Sequence, residues 1–334
     1  MRRFDDSSFG HGWFQAAYSE DLRKGEVQPL TAMGREFVLW RDMQGQAHAM
    51  DAHCPHLGTH LGHLGHGGRV CGTSLRCPFH GWQFSGDGAC TDIPYSPNPR
   101  LEMRHLKSWP LVERNGLVMV WWHPRGIVPS FEVPAMPEHG DAQWSRYRRQ
   151  RWEVATIWQE VQENIVDTTH FHHLHGVATL ARLDRFEPAG PALHVNILHD
   201  FNTPRGRLPG FLQTSLYGPY FATVRFRIAD LAEILFVDSV VPIEAGRVAV
   251  SFSLMARLQG IASPDMSLAL IDEAIHQVSQ DVPIWEHKMR WKRPSLAEGD
   301  GPIMRFRHWA EQFETEDEVP APAPLRRIEI AAHA

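Results

Sequence analysis

The chain lacks any apolar run long enough to cross a bilayer. Its longest, Leu117 to Trp122 and Val240 to Ile243 with their neighbours, are far shorter than the roughly 20 residues that a membrane helix needs. The N-terminus carries two arginines with no apolar stretch behind them, which does not fit a secretory or twin-arginine signal. We therefore expect a cytoplasmic protein without a transmembrane segment.

Positive charge and cysteine are also scarce in the 334 residues. Lys and Arg total 33 against 39 Asp and Glu, a formal charge of −6, and no basic run stands out, so we expect no nucleic-acid partner. Four cysteines in a chain of this kind are better explained as ligands or free thiols than as a disulfide framework. No G-x-G-x-x-G lies between a strand and a helix, so the chain is not expected to bind NAD(P)H itself.

Histidine, in contrast, is abundant, and two short loops combine it with cysteine. The first loop holds Cys54 and His56, and the second holds Cys77 and His80. Two thiolates and two imidazoles are the ligand set of a Rieske [2Fe–2S] cluster. Zinc also accepts this set, but zinc fingers usually pair like with like on each knuckle, whereas each loop here mixes the two types. The remaining thiols and nearby histidines are interpreted as buried or idle thiols and as loop residues: Cys71, Cys90, His53, His60, His63 and His66.

A second motif follows some ninety residues later. Asn164, Asp167 and His170 are three residues apart each time, which on a helix would place them on one stripe. His175 comes five residues after His170, so the helix must loosen or end around 171–174 if both histidines bind one ion. Two imidazoles and one carboxylate form the facial triad that holds an open-sited Fe(II).

Several ligand choices at this second site stay open on spacing alone. His172 and His173 allow rival pairs, and a helix end that merely carries histidines is the simplest alternative. Asp167 is near, but we assign it another role and expect the carboxylate from Asp281, on a C-terminal helix. The same segment offers three further carboxylates: Asp272, Glu273 and Glu286.

The order of elements predicts an α+β protein. Residues 1–123 are expected to form short strands and 124–144 a proline-rich linker. Residues 145–314 combine an antiparallel sheet with a long C-terminal helix kinked by Pro283, and 315–334 form a loosely ordered tail. A further helix is expected from about 157 into the histidine cluster. Strands are predicted at 37–40, 47–50, 117–122, 146–154, 194–199, 211–217, 221–228, 234–242 and 247–256.

The paired motifs resemble those of the catalytic α subunits of Rieske non-heme iron oxygenases, C-x-H…C-x₂-H and N-x₂-D-x₂-H-x₄-H, over nearly the whole chain. Shorter stretches are similar to 3-ketosteroid 9α-hydroxylase oxygenases and cholesterol 7-desaturases. These stretches are 12–15, 51–58, 93–95 and 281–285. The histidine-rich segment 61–69 departs from the family pattern.

The resemblance implies a Rieske domain, then a helix-grip catalytic domain, and a head-to-tail homotrimer. It also implies that electrons cross between subunits, with His80 of one chain approaching Asp167 of the next and Asp167 holding His170. Asn164 would lie beside the iron without being a firm ligand.

The resemblance further implies a terminal oxygenase. It would use O₂ and electrons from a separate NAD(P)H-dependent reductase or a ferredoxin to hydroxylate or desaturate a large apolar substrate, a steroid or sterol. One alternative is an oxygenase or demethylase of aromatic acids or aryl ethers, for which Arg205, Arg225 or Arg227 could anchor the substrate. A Rieske electron-transfer protein is an alternative of another class, but it leaves the second motif unexplained.

Overall fold

Strands dominate the computed structural model, which describes residues 9–63, 68–177, 179–203, 206–229, 232–257 and 264–314. Within these ranges four antiparallel sheets are accompanied by four α-helices. The strands are β1 (Gly12–Tyr18), β2 (Val27–Ala32), β3 (Arg35–Arg41), β4 (Ala47–Asp51), β5 (Arg69–Cys71), β6 (Ser74–Arg76), β7 (Gln83–Ser85), β8 (Cys90–Asp92), β9 (Ser108–Trp109), β10 (Leu111–Arg114), β11 (Leu117–Trp122), β12 (Arg148–Val154), β13 (Arg182–Ala189), β14 (Ala192–Thr203), β15 (Gly206–Tyr217), β16 (Phe221–Ile228), β17 (Ala232–Glu244) and β18 (Arg247–Ala256). The helices are α1 (Trp158–Glu163), α2 (His170–His173), α3 (Pro264–His287) and α4 (Ile303–Ala310).

The three smaller sheets come from the first part of the chain. Their orders are β1-β11-β10, β2-β3-β4-β9 and β5-β6-β7-β8. A core around Val38, Trp40, Leu75 and Phe84 packs the last two sheets together. The loop after β4 carries Cys54 and the loop between β6 and β7 carries the second cysteine motif, so both loops leave rigid strands.

The second part forms one seven-stranded sheet in the order β12-β18-β17-β16-β15-β14-β13. The strands from β13 to β18 pair consecutively as hairpins. Strand β12 pairs antiparallel with β18. Helix α3 lies against β12, β17 and β18, while α1 contacts β17 and α4. Apolar and polar residues alternate along much of β16, so helices can cover one face of the sheet there. Strands β17 and β18 are buried at almost every position, because residues such as Val237 and Met255 also pack with Trp121 of the first part.

The segment that joins the two parts contains no helix or strand from 124 to 143. It is nevertheless fixed by side chains of the first part. Trp13 Nε1 donates to the Phe131 carbonyl at 2.7 Å, and Asn115 Nδ2 donates to the Pro134 carbonyl at 2.8 Å. These bonds hold the predicted linker against the sheets.

The predicted α+β class, with an N-terminal all-β part and an antiparallel sheet next to a long helix, is confirmed. Every predicted strand is present, and α3 runs through Pro283 to His287. The tail at 315–334 lies outside the described residues. None of the described helices is both long and apolar enough to cross a membrane.

Candidate functional site

The two cysteine loops have the same backbone geometry. In each loop the cysteine amide donates to the carbonyl five residues later, at 2.9 Å for Cys54 and 2.7 Å for Cys77. A glycine four residues after the cysteine donates back to its carbonyl, at 2.9 Å for Gly58 and 3.1 Å for Gly81. Both glycines have positive φ, 74° and 78°, a conformation that other residues rarely adopt. Two equivalent turns therefore face each other.

The two loops place their cysteines and their histidines in different environments. Cys54 and Cys77 are buried side by side, whereas His56 and His80 are half-buried, with ring centroids 4.6 Å apart. Trp82 stacks on His56 at 4.6 Å with an interplanar angle of 8°. A Rieske centre needs two thiolates on one iron and two imidazoles on the other, and this arrangement fits it.

Backbone donors prepare the two thiols for a metal. The amide of His56 donates to the Cys54 sulfur, and the amides of Phe79 and His80 donate to the Cys77 sulfur. The hydrogen bond from the Cys54 thiol, helped by these amides, lowers the pKa of Cys77 to about 6. The same bond raises the pKa of Cys54, because its proton is held between the two sulfurs. Thiolate is the form that binds iron.

A break in the helix shapes the second site. Helix α1 gives way to a 3₁₀ turn at Asn164–Val166, and Asp167 is extended with φ −82° and ψ 95°. Its Oδ1 accepts the amides of Thr169 at 3.2 Å and His170 at 3.4 Å, a local bond pattern that competes with helix formation. The prediction of one helical stripe through Asn164, Asp167 and His170 is therefore wrong.

The break brings together the three predicted iron ligands. His170 Nε2 lies 4.0 Å from Asp281 Oδ1, and His175 Nε2 lies 3.5 Å from Asp281 Oδ2. The two imidazole rings meet edge to face at 5.0 Å. All three ligand atoms lie within 4.8 Å of one another. An ion about 2 Å from each atom fits between them, and two imidazoles with one carboxylate match the donor set of an open-sited iron.

Two oxygen acceptors orient the imidazoles. His170 Nδ1 bonds to the Asp167 carbonyl at 2.6 Å, and His175 Nδ1 bonds to Gln280 Oε1 at 2.9 Å. Because these oxygens only accept, each Nδ1 carries the proton, and in the neutral rings each Nε2 keeps a lone pair for an ion held between it and Asp281. The sequence does not indicate Gln280 as a site residue, because its contact with His175 depends on how α3 packs.

Asp167 uses its backbone rather than its carboxylate to hold His170. The nearest carboxylate oxygen is 3.9 Å from His170 Nδ1, and the side chain is half-exposed. Burial by itself would raise the pKa of Asp167, but the hydrogen bonds from His170 and Thr169 lower it, so the group is anionic. Asn164 Nδ2 is 3.3 Å from His170 Nε2, beside the ion position.

The rival ligands do not converge on a carboxylate. His172 Nδ1 bonds to the Val177 carbonyl at 2.7 Å, and His173 is exposed. Asp272 pairs with Arg148 at 2.6 Å on the surface. Glu273 lines the neighbouring cavity, whereas Glu286 does not.

Only one other group of three possible ligands converges among the described residues: Glu36, His60 and His63. His60 Nδ1 accepts the amides of Gly62 at 3.0 Å and His63 at 3.1 Å. The ring proton must therefore be on Nε2, which removes the lone pair that a metal would need. This geometry supports the interpretation of these histidines as loop residues; His66 lies outside the described residues.

A cavity of about 610 Å³ opens next to the three candidate iron ligands, between the seven-stranded sheet and helices α1 and α3. The ligands His170, His175 and Asp281 form part of its wall. Most of the remaining wall is apolar, and the sheet segments 211–228 and 234–242 supply much of it, as predicted. Its apolar members include Phe171, Leu212, Val224, Phe226, Phe236, Phe252 and Trp285.

No arginine or lysine lines this cavity within the described ranges. Arg225 and Arg227 alternate along β16 with cavity residues and belong to the opposite face. There Arg225 pairs with Glu138 and Glu233, and Arg227 pairs with Glu233 at 3.0 Å. Arg205 lies outside the described residues. The wall does carry carboxylates, so it favours neutral molecules over anions.

Two family models match the chain. One, described as the Rieske [2Fe-2S] domain, matches residues 12–110. The other, described as the 3-Ketosteroid 9alpha-hydroxylase C-terminal domain, matches residues 120–313, which is more than half of the chain. The first model covers both cysteine loops, and the second covers the three candidate iron ligands and the residues that line the cavity.

Curated relatives align over almost the full chain. A cholesterol 7-desaturase (nvd 1) of Ciona intestinalis is 33% identical over 336 residues, covering 92% of this chain and 69% of the relative. The oxygenase component of a 3-ketosteroid-9-alpha-monooxygenase of Rhodococcus rhodochrous is 28% identical, covering 96% of this chain and 88% of the relative. Each of these two alignments therefore includes the cysteine loops and the second motif.

Solved structures share the fold. Dicamba monooxygenase bound to dicamba superposes with a TM-score of 0.74 at 20% identity, covering 92% of this chain and 98% of that chain. NdmA of Pseudomonas putida CBB5 with caffeine superposes with a TM-score of 0.66 at 20% identity, covering 90% and 89%. At this identity the likeness describes architecture alone.

Proposed function

The chain belongs to the 3-ketosteroid 9α-hydroxylase family of Rieske oxygenases, and on this basis we propose that it hydroxylates or desaturates a large, neutral steroid or sterol. It is a Rieske-type non-heme iron oxygenase with a [2Fe–2S] cluster and a mononuclear iron. The proposal adds O₂ as co-substrate and a separate NAD(P)H-dependent reductase or a ferredoxin as the electron source. Relatives named as oxygenase components support a separate electron donor.

One observation carries the choice of substrate: the cavity beside the iron ligands is large, apolar and without cationic side chains among its described residues. Apolar walls with a few polar groups suit a polycyclic ligand. An aromatic acid is best bound through a cationic anchor for its carboxylate, but Arg225 and Arg227 are engaged elsewhere and the amides of the wall, Asn164 and Gln277, are neutral. A neutral substrate is thus favoured over an acidic one.

The chain's own groups have distinct tasks. When bound, the cluster supplies single electrons and the Fe(II) supplies open positions where O₂ reacts beside the substrate. Cys54, Cys77, His56 and His80 would hold the cluster, and His170, His175 and Asp281 would hold the iron. The Asp167 carbonyl and Gln280 keep the two imidazoles in the tautomer that binds metal.

A single turnover tests the proposal. The protein is reduced chemically, mixed with O₂ and with sterols, 3-ketosteroids or aromatic acids, and the products are identified by mass spectrometry. We expect an oxygenated or desaturated steroid, formed in step with oxidation of the cluster. Product from an aromatic acid alone would contradict the steroid assignment and leave the oxygenase class intact.

The double variant His170→Ala, His175→Ala is the matched control. It should retain the visible spectrum of the cluster, lose the mononuclear iron and form no product, because its two imidazoles are gone. Product from this variant would contradict the assigned iron site. The same comparison separates an oxygenase from an electron-transfer protein, which would not need the second site.

A further inference from the structure

One carboxyl in the cavity wall has no part in the iron site. Asp238 on β17 is 4% exposed and lines the cavity, but it is not among the groups that converge on the iron. Its Oδ1 atom has no hydrogen-bond partner among the described residues. Buried polar atoms are nearly always paired, and an unpaired one costs free energy. Its presence points to a partner that arrives with the ligand.

The neighbours of Asp238 within the sheet are apolar. Its cross-strand neighbours are Ala222 on β16 and Phe252 on β18, and Phe236 precedes it on the same face of β17. Burial raises the pKa of Asp238 to about 7. The carboxyl can therefore accept a hydrogen bond when ionised and donate one when protonated.

The register of the sheet places Asp238 far along the cavity. His199, Gly210, Ile228 and Ala232 are paired successively across β14 to β17 and form one row. Asp238 comes six residues after Ala232 on β17, which is about 20 Å at the usual rise of a strand. The cavity wall spans this distance, since residues of both rows line it.

The iron ligands lie near the His199 row. The ring of Phe171 stacks on His199 with centroids 5.9 Å apart, and its centroid lies 5.9 Å from that of His175. A long apolar molecule in the cavity can thus reach the iron ligands and also extend along the sheet to Asp238.

We propose that Asp238 binds a hydroxyl group of the substrate and so selects an alcohol over the corresponding hydrocarbon or ketone. A hydroxyl both donates and accepts, so it pairs with either protonation state of the carboxyl. A ketone only accepts, and it pairs with the protonated acid alone. The inference rests on the proposed function and narrows its substrate class to hydroxylated steroids or sterols.

Binding of three probes that differ at one carbon tests this inference: 5α-cholestan-3β-ol, 5α-cholestan-3-one and 5α-cholestane. Dissociation constants are measured with the full-length protein, without turnover. We expect the wild type to bind the alcohol at least about tenfold more tightly than the hydrocarbon, because one buried hydrogen bond is gained. Asp238→Leu should bring the two constants within about twofold of each other, since no polar partner is left.

Ser239→Ala is the matched control, because Ser239 is the next residue of the same strand, is fully buried and does not line the cavity. This variant should keep the preference for the alcohol. Ligand-free Asp238→Leu should also melt at a higher temperature than the wild type, since it no longer buries an unpaired carboxyl. If the leucine variant does not fold, Asp238→Asn takes its place. The asparagine amide both donates and accepts a hydrogen bond, so the affinity for the ketone should rise towards the affinity for the alcohol.

Two results would overturn the inference: equal binding of alcohol and hydrocarbon by the wild type, or an unchanged alcohol preference in Asp238→Leu. Either would leave the steroid proposal standing, because the probes still bind. Failure of all three probes to bind, with turnover of an aromatic acid, would overturn the steroid proposal together with this inference.

Discussion

Gln280 orients one of the candidate iron ligands although it is not itself in the ligand set. Its Oε1 accepts from His175 Nδ1, which fixes the ring direction and leaves Nε2 free for the metal. Groups that orient metal-binding imidazoles usually contribute one to two orders of magnitude to metal affinity. His170 receives the same support from a backbone carbonyl, which a substitution of Asp167 does not remove.

Gln280→Leu should therefore weaken iron binding by about 10- to 100-fold, because His175 loses its acceptor. Gln280→Glu should retain most of the affinity, since a carboxylate oxygen can accept the same hydrogen bond. The measurement is iron content during titration with a chelator, with the cluster spectrum recorded alongside. Ser279→Ala, on the exposed side of the same helix turn, is the control, and equal iron loss in both variants would refute this role.

Residues that act within one short loop were predictable from the sequence. Cys54, His56, Cys77 and His80 are placed by two local turns, so spacing alone indicated them. Gln280 and Asp238 were not indicated, because their partners lie on other elements. Which face of β17 meets the cavity, and which face of α3 meets His175, is decided by tertiary packing.

Helix α1 is held by buried ion pairs, and the iron site depends on it because Asn164 follows directly. Glu163 accepts two bonds from Arg307, at 2.6 and 2.9 Å, and Glu160 pairs with Arg290 at 2.8 Å and Lys288 at 2.7 Å. These cations come from α4 and from the chain after α3. Buried carboxylates need such partners, and losing one is strongly destabilising.

The same pairs predict how stability depends on pH. Burial alone would raise the pKa of Glu160, but the charge of Lys288 and the bonds from Lys288 and Arg290 lower it. A folded-state pKa below the unfolded value contributes stability above the unfolded pKa, near 4.5. That stability is lost as the pH falls through the folded pKa.

Glu160→Gln should therefore show a smaller loss of stability between about pH 5 and 3 than the wild type, together with a lower stability near pH 7. The denaturant midpoint, measured at several pH values, checks this expectation. Glu102→Gln, at an exposed position, is the control and should follow the wild type. An unchanged slope in Glu160→Gln would contradict the role given to these ion pairs.

Nine of the 18 described strands were predicted individually, and they include six of the seven strands of the large sheet. The strands β1, β2 and β5 to β10 were expected only as a group of short strands within residues 1–123. Strand β13 was missed because it is an edge strand, mostly exposed and rich in charge, with Pro188 near its end. Helix α4 was missed because it has only eight residues. The helix expected from 157 was interrupted because Asp167 bonds to the amides that follow it.

Both redox sites reach the surface of the chain. His56 and His80 are half-buried, and the apolar side chains of Leu57 and Phe79 beside them are 65% and 62% exposed. Asp167, next to the iron ligands, is also half-exposed. Exposed apolar groups around a functional edge suit a contact with another subunit. This arrangement supports the prediction of a head-to-tail trimer in which His80 approaches Asp167 of the neighbour.

Subunit mixing tests the predicted electron path. His80→Ala removes a cluster ligand and His170→Ala removes an iron ligand, so each variant alone should be inactive. Mixed trimers, co-expressed with different tags and recovered through both, should regain about a third of the wild-type activity, because each such ring has one contact in which a chain with a cluster meets a neighbour with iron.

The assembly is checked by light scattering, which should give three times the mass of the chain. Activity in the mixture no higher than that of the separate variants would contradict a path between subunits, provided that mixed trimers are recovered through both tags. Wild-type activity of a monomeric fraction would contradict it as well.

The alternation along β16 has a consequence for how such enzymes diverge. Val224 and Phe226 face the cavity, while Arg225 and Arg227 face the acidic groups on the other side. Deleting one residue ahead of this pair would exchange the two faces, because side chains alternate with a period of two. Loss of a single codon would therefore place two guanidinium groups in the cavity wall beside the candidate iron site. Such a deletion would shift the preferred substrates from neutral molecules to acids.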